Sequence, residues 1–352
     1  MTNARFQKRI QNISHDIWMK INKIDQLKGQ WFAGAQLSPQ ILGRLKKSVL
    51  ITSSGASTRI EGARLEDEDV EKLMAGLSMQ KFTDRDKQEV RGYYELLSKV
   101  FESWKHVNFS ESMIKHFHKE LLQYVNKDVR HRGDYKKAEN RVVAKDGGGR
   151  VAALIFDTTS AYLAPKETQE LVDWTIQELK DEKYHPLLVI GNFLVEFLKI
   201  HPFQDGNGRL SRILTNLLLL KAGYSYMPYA SHEKLIEENK TDYYIALRRS
   251  QKTFNTKKQD ISVWLNFFFD VLIKQSQIVI ELLSEENIEK LLSKKQLSVW
   301  EYLNSVDDAS AGEISEKTNV ARPTVNQVLD KLLAFKKIER MGQGRSTRYK
   351  VK

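Results

Sequence analysis

Apolar residues recur at three- and four-residue spacing along nearly the whole chain, and that period constrains the fold more than any other feature. Between Ser110 and Leu122, for example, Met113, Ile114, Phe117, Leu121 and Leu122 fall on one helical face. Only six prolines interrupt such patterns in 352 residues. The pattern predicts a mainly α fold with a helical body from about residue 5 to 282. One stretch breaks it. Arg141–Lys145 and Arg150–Phe156 flank Asp146-Gly147-Gly148-Gly149, a pairing of short apolar runs around positive-φ residues that predicts a β-hairpin.

Composition narrows the class. With 41% hydrophobic and 29% charged residues the chain reads as globular, and its length suits two or three domains. Its best uninterrupted apolar run, Leu187 to Ile200, is broken by Asn192, Glu196 and Lys199, so no membrane span is expected. The first residues carry no apolar signal region, and the absence of cysteine excludes disulfides, thiolate metal sites and cysteine nucleophiles. A cytoplasmic location is the expectation. The net charge of +11 points to acidic or phosphate-bearing partners.

Past residue 285 helices fit 287–303, 310–318 and 321–335, and two basic strands follow around Gly342 and Gly344. Three short helices and a terminal hairpin predict a winged helix-turn-helix. Residues 331–352 carry eight basic side chains against Glu339 alone. The segment Ala321-Arg322-Pro323-Thr324-Val325-Asn326-Gln327 would open a recognition helix, so DNA is an expected partner, with protein docking as the alternative.

The densest chemistry lies in His201-Pro202-Phe203-Gln204-Asp205-Gly206-Asn207-Gly208-Arg209-Leu210-Ser211-Arg212. One helix stops at Pro202 and another leaves from Asn207 or Gly208. Gly206 and Gly208 let backbone N–H groups converge at that helix N-terminus, an anion nest. Arg209 and Arg212, three residues apart, reach a polyphosphate from one face. Asp205 offers one carboxylate, the number that nucleotide-bound Mg²⁺ commonly takes from protein. His201 supplies a base near neutral pH.

These twelve residues match every position of HPFxDGNGRxxR, the signature of the Fic family, and the chain resembles that family over about residues 45–275. The resemblance implies transfer of AMP from ATP to a Ser, Thr or Tyr hydroxyl of a target protein, and of the enzyme itself, with release of pyrophosphate. His201 would take the hydroxyl proton and Asp205 would hold Mg²⁺, with Mn²⁺ as substitute. Gly206, Asn207 and Gly208 would line the anion hole, Arg209 would hold the β-phosphate and Arg212 the γ-phosphate. Related phosphorylating members carry Ala and Lys where this chain has Gly206 and Gly208, which favours AMP transfer.

Three further stretches resemble parts of the same family. Ser57-Thr58-Arg59-Ile60-Glu61-Gly62 fits the inhibitory motif [S/T]xxxE[G/N] on a helix spanning about 51–62, and implies that Glu61 pairs with Arg212 and excludes the γ-phosphate. The hairpin resembles the flap that holds a target segment by strand pairing, here through Val151, Ala152 and Ala153. Tyr243 and Tyr244, with Gln251 further on, resemble an adenine pocket, although both tyrosines suit a core equally well. The expected organisation is an N-terminal helical region (1–100), a Fic core (101–282) and the winged helix (287–352). The expected partners are ATP, an unidentified target protein, DNA through the C-terminal module, and a second copy in a homodimer. The competing class is a DNA-binding regulator that uses the core as a nucleotide sensor.

Overall fold

The computed structural model describes residues 4–34, 39–76, 84–145, 151–283, 292–335, 337–342, 344 and 347–351. The N-terminal helices are α1 (Ala4–Gln11), α2 (His15–Gly34), α3 (Pro39–Ile60), α4 (Asp67–Met74), α5 (Asp84–Ser103) and α6 (Glu111–Leu121). Strands β1 (Arg141–Lys145) and β2 (Val151–Asp157) follow. Next come α7 (Ala164–Asp181), α8 (Pro186–Ile200), α9 (Asn207–Lys221), α10 (His232–Glu238), α11 (Lys240–Gln251) and α12 (Ser262–Leu283). The chain closes with α13 (Lys294–Asn304), α14 (Ala311–Thr318), α15 (Arg322–Ala334), β3 (Ile338–Met341) and β4 (Arg348–Val351).

These elements form two compact units: Met1–Gly29 with Ser48–Ser276, and Gln30–Lys47 with Gln277–Lys352. The second grouping departs from the expected division, because residues 30–47 join the C-terminal residues. One tie is a hydrogen bond from the Arg44 guanidinium to the Asp330 carbonyl.

In the first unit α8 is the central rod. Apart from Lys199, its residues from Leu187 to Ile200 are all buried, the signature of a helix packed on every side. Pro186 sits in its first turn and His185 caps it, accepting from the Leu187 N–H at 3.3 Å. Helices α1, α7, α9 and α11 pack around it. Truncating one of its leucines to alanine would cost about 2–5 kcal/mol. Helix α9 is almost as deeply buried, so the loop joining α8 to α9 is held between two rigid elements.

Over Ser262–Leu282, α12 is long and apolar enough to cross a membrane by length and composition, although the sequence reading expects no span. It is half buried here: Trp264 Nε1 donates to the Gly191 carbonyl at 2.8 Å and Gln275 Nε2 to the Ala230 carbonyl at 2.7 Å. Core helices of water-soluble folds share this length and composition.

Strands β1 and β2 pair antiparallel as expected, with Arg141 opposite Asp157 and Ala144 opposite Ala153. Two register shifts leave Ile155 and Ala152 as the extra residues, which twists the ribbon. The glycine turn, residues 146–150, lies outside the described residues, and only the backbone of Val151, Ala152 and Ala153 is described.

The C-terminal unit has its own core, with Val299, Trp300, Ile314, Val325, Leu329 and Leu332 among its members. Capping boxes open α13 (Ser293 with Gln296) and α14 (Ser310 with Glu313). Strands β3 and β4 pair antiparallel, and a bridge ties Ala309 to Tyr349. Helix α13 begins at Lys294; the expected start at 287 falls in residues 284–291, outside the described ones.

Candidate active site

His201 ends α8 in the left-handed region, at φ 52 and ψ 60, with its N–H bonded to the Phe197 carbonyl. A β-carbon at such a φ is strained, and sites that aim a reactive side chain store strain of this kind. The Nδ1 atom lies 3.2 Å from the Leu198 carbonyl. Donation there assigns the proton to Nδ1 and leaves the lone pair on Nε2. Burial pushes the imidazole down to about 4, so it is neutral at physiological pH and able to accept a proton.

The loop then turns through Gly206 at φ +79, the N-cap of α9. The Asn207 amide closes the turn on itself, donating to the Phe203 carbonyl at 2.8 Å and accepting from the Phe203 N–H at 2.9 Å. Its side chain therefore shapes the loop at the N-terminus of α9, leaving the backbone N–H groups of Asn207 and Gly208 to face an anion, while the Gly206 N–H is taken by Asp205 Oδ1. From beneath, His118 stacks on Phe203 at 3.9 Å. His118 Nδ1 accepts from the Gly133 N–H, so Nε2 carries the proton toward the Asp205 carbonyl at 3.0 Å.

Asp205 is held by cations. Its Oδ1 accepts from its neighbour Gly206 N–H at 2.6 Å and faces Arg209 Nη2 at 3.3 Å, while Oδ2 takes Arg85 Nη2 at 2.6 Å. Burial alone would raise its carboxyl, but Arg209, the Gly206 N–H and Arg85 outweigh that and hold it below the usual carboxylate range. Arg209 is 2% exposed, and its Nη1 lies 2.9 Å from Glu89 Oε2.

Arg212 is equally buried. Its Nε donates to Ser57 Oγ, and its Nη2 to both the Ser57 carbonyl and Glu61 Oε1, each at 2.8 Å. Burial disfavours the charged guanidinium, but Glu61 and the neighbouring hydroxyls reverse that and raise its pKa. Ser57 lies on α3, whereas Glu61 stands one residue past its last turn, its N–H reaching back to the Thr58 carbonyl. The two still meet Arg212 together. A β-carbon on Gly208 would stand 2.2 Å from Glu61 Oε1, so glycine there is what admits the carboxylate.

Donors remain over. Arg209 Nε and Arg212 Nη1 are buried with no hydrogen-bond acceptor among the described residues. Orphaned guanidinium donors at a helix N-terminus are costly unless an anion arrives to meet them.

The hairpin is tied to this loop at both feet. Lys136 Nζ reaches Asn140 Oδ1 (2.8 Å), Thr158 Oγ1 (2.9 Å) and the Ile200 carbonyl (3.2 Å). Its N–H bonds the Pro202 carbonyl at 2.9 Å, and Asn140 Nδ2 the Phe203 carbonyl at 3.0 Å. Burial pushes Lys136 down to about 8.

Of the expected adenine contacts, Tyr243 is buried against Trp264 at 5.9 Å and lines a small cavity beneath Arg212; Tyr244 packs beside it at 5.1 Å. Gln251 is placed otherwise. Its Nε2 donates to the Val195 carbonyl of α8 at 3.0 Å, and its Oε1 is buried without a partner among the described residues. Sequence reasoning missed Arg85, Glu89, His118 and Lys136. Arg85 and Glu89 show only a charged i, i+4 pair, and His118 and Lys136 carry no distinguishing signal.

Comparison with known proteins follows the same lines. Residues 108–219, which include the whole loop, match the Fic/DOC family. Over 180 residues the chain is 26% identical to a probable protein adenylyltransferase of Aquifex aeolicus (strain VF5), covering 48% of this chain and 50% of that protein. It is 49% identical over 41 residues to the protein adenylyltransferase Fic of Aedes aegypti, covering 12% of this chain and 8% of that protein. The chain thus spans half of the first relative and a small part of the second. A crystal structure of a Fic family protein from Desulfovibrio desulfuricans G20 superposes with a TM-score of 0.64 at 21% identity, covering 97% of each chain, so the fold is shared. The motif, its geometry and these likenesses converge on one stretch: residues 108–219 of this chain are similar to the Fic/DOC family, and the fold is shared with a solved member.

Proposed function

We propose that the chain transfers AMP from ATP to a hydroxyl of a target protein and of itself, and that Glu61 holds this activity in check. The observation that carries the reading is the pair of buried arginines with unmet donors beside a neutral histidine. Relatives that bear the name protein adenylyltransferase support it.

In this mechanism the triphosphate lies on the Gly206–Gly208 backbone at the α9 N-terminus, its β- and γ-phosphates on Arg209 and Arg212. His201 Nε2 takes the proton of a Ser, Thr or Tyr hydroxyl as its oxygen bonds to the α-phosphorus. The bond from that phosphorus to the bridging oxygen breaks, and pyrophosphate leaves with the electron pair. A hard divalent cation fits Asp205, which stays ionised and offers the single carboxylate such ions take beside phosphate oxygens. Among the described residues no cluster of three metal-binding side chains exists, so nucleotide oxygens would complete the shell. When bound, Mg²⁺ or Mn²⁺ would supply charge neutralisation at the phosphates. Catalysis is then mostly positioning and electrostatics.

Glu61 opposes this by occupying Arg212. The ion pair removes a donor from the γ-phosphate and sets a carboxylate where that phosphate would lie. Strand pairing with β2 at Val151–Ala153 would hold the target segment, and Tyr243 and Tyr244 would border the base. Intact-mass measurement on Glu61→Gly protein incubated with ATP and Mg²⁺ tests the chemistry. Gain of one AMP, lost by about 10²–10⁴ in rate on adding His201→Ala, is expected. Gain of a phosphate alone would make the enzyme a kinase.

A second reading concerns the C-terminal unit, for which we propose a winged helix-turn-helix that binds DNA. Helix α15 buries Val325, Val328 and Leu329 and turns Arg322, Asn326 and Gln327 outward, side chains suited to base edges and phosphates. Filter retention of labelled duplex DNA, with and without ATP, checks it; no retention at low salt would point to protein docking instead.

A further inference from the structure

Four charges close a ring at the mouth of the site. Arg85 Nη2 meets Asp205 Oδ2 (2.6 Å), Asp205 Oδ1 faces Arg209 Nη2 (3.3 Å), Arg209 Nη1 faces Glu89 Oε2 (2.9 Å), and Glu89 Oε1 returns to Arg85 Nε (2.7 Å). Two guanidinium groups balance two carboxylates, so the ring is neutral as it stands. The two arginines differ in exposure. Arg209 is 2% exposed and wedged between carboxylates, whereas the Arg85 side chain is 44% exposed and sits at the start of α5. Glu89 lies four residues along the same helix, so Arg85 can release Asp205 and keep its pair with Glu89.

We propose that Arg85 stands in for the divalent cation: its guanidinium neutralises Asp205 while the metal is absent, and it swings onto Glu89 and solvent when metal arrives with nucleotide. The inference rests on the assignment of Asp205 as the metal-binding carboxylate. A dication on Asp205 would bring like charge against a guanidinium now 2.6 Å from Oδ2, and both cannot hold the same oxygen. Arg85 yields because water can receive it; Arg209 has no such exit. The metal must therefore displace a cation that the chain itself provides, and metal affinity is set partly by residue 85.

The test is Mn²⁺ titration of the full chain saturated with ADP, with free Mn²⁺ read from its paramagnetic resonance signal. ADP lacks the γ-phosphate, so the Glu61–Arg212 pair is not challenged. Arg85→Gln should half-saturate at about two- to fivefold lower Mn²⁺ than wild type, the range of a partly exposed ion pair. Arg85→Lys should fall between, because it keeps the charge and loses the fork. Asp205→Asn should lose the site. Arg85→Gln binding Mn²⁺ equally or more weakly, while Asp205→Asn loses it, would overturn the role of Arg85 and leave Asp205 standing. Asp205→Asn binding Mn²⁺ like wild type would overturn the metal assignment and Arg85's part with it.

Discussion

Two helix ends press charges against the same loop, one at the close of α3 and one at the start of α5. The α3 end sets Ser57 and Glu61 on Arg212; the α5 end sets Arg85 and Glu89 on Asp205 and Arg209. Both use residues four apart. They differ in depth: at the α3 end Ser57 is fully buried and three hydrogen bonds converge on Arg212, with the Glu61 side chain 32% exposed, whereas at the α5 end the Arg85 side chain is 44% exposed. Exposed ion pairs are worth about 0–1 kcal/mol and buried, hydrogen-bonded ones are costly to break. On the proposed reading, the comparison teaches that burial, more than the presence of an ion pair, would decide which contact acts as a lock and which as an adjustable counter-charge.

The widest effect should be blind to the comparison. His118, His201 and His232 are each pushed down by burial to about 4. An unfolded histidine titrates near 6.5, so between pH 6.5 and 4 the unfolded chain binds the extra protons. Stability should fall with acid across that window by on the order of 1 kcal/mol per pH unit per histidine, and stay flat above it. Chemical denaturation at pH 7.5, 6 and 5 measures this; an unchanged midpoint would contradict the burial of these rings.

Glu61→Gly should raise AMP transfer at least about tenfold, the largest effect specific to one helix end. Ser57→Ala removes one of three bonds to Arg212 and should raise transfer less, about two- to fivefold, because the Ser57 carbonyl and Glu61 remain. If Ser57→Ala matches Glu61→Gly, the helix position rather than the carboxylate is the brake. Combining Glu61→Gly with Arg85→Gln should multiply the two separate changes in metal-dependent ATP affinity, since Glu61 pairs with Arg212 and Arg85 with Asp205 and Glu89; a large departure would mean one lock. On stability alone, Gly206→Ala should cost about 1–2 kcal/mol, because φ +79 disfavours a β-carbon, and thermal melting reads it.

The legible part of this site is the part that is contiguous. His201 to Arg212 sits between two helices whose period shows in the sequence, so local chemistry and local structure coincide there. Glu61 was legible because its spacing from Ser57 matches a motif, yet its place just beyond α3 was not, since a frayed last turn leaves no mark on the period. Arg85 and Glu89 have the same spacing with no motif, and their meaning arises only when α5 is packed against α9. Gln251 shows the converse: its spacing suited a base contact, but packing of α11 on α8 engaged its amide with Val195. Residues 30–47 grouping with the C-terminal unit is likewise tertiary, invisible to a window of neighbouring residues.

The most direct test of the central claim is the rate at which purified protein acquires label from ATP marked at the α-phosphorus, compared with ATP marked at the γ-phosphorus, for wild type and Glu61→Gly. The account predicts label from the α-position alone, at least about tenfold faster in Glu61→Gly. Label from the γ-position, or equal rates from the α-position in both proteins, would contradict it.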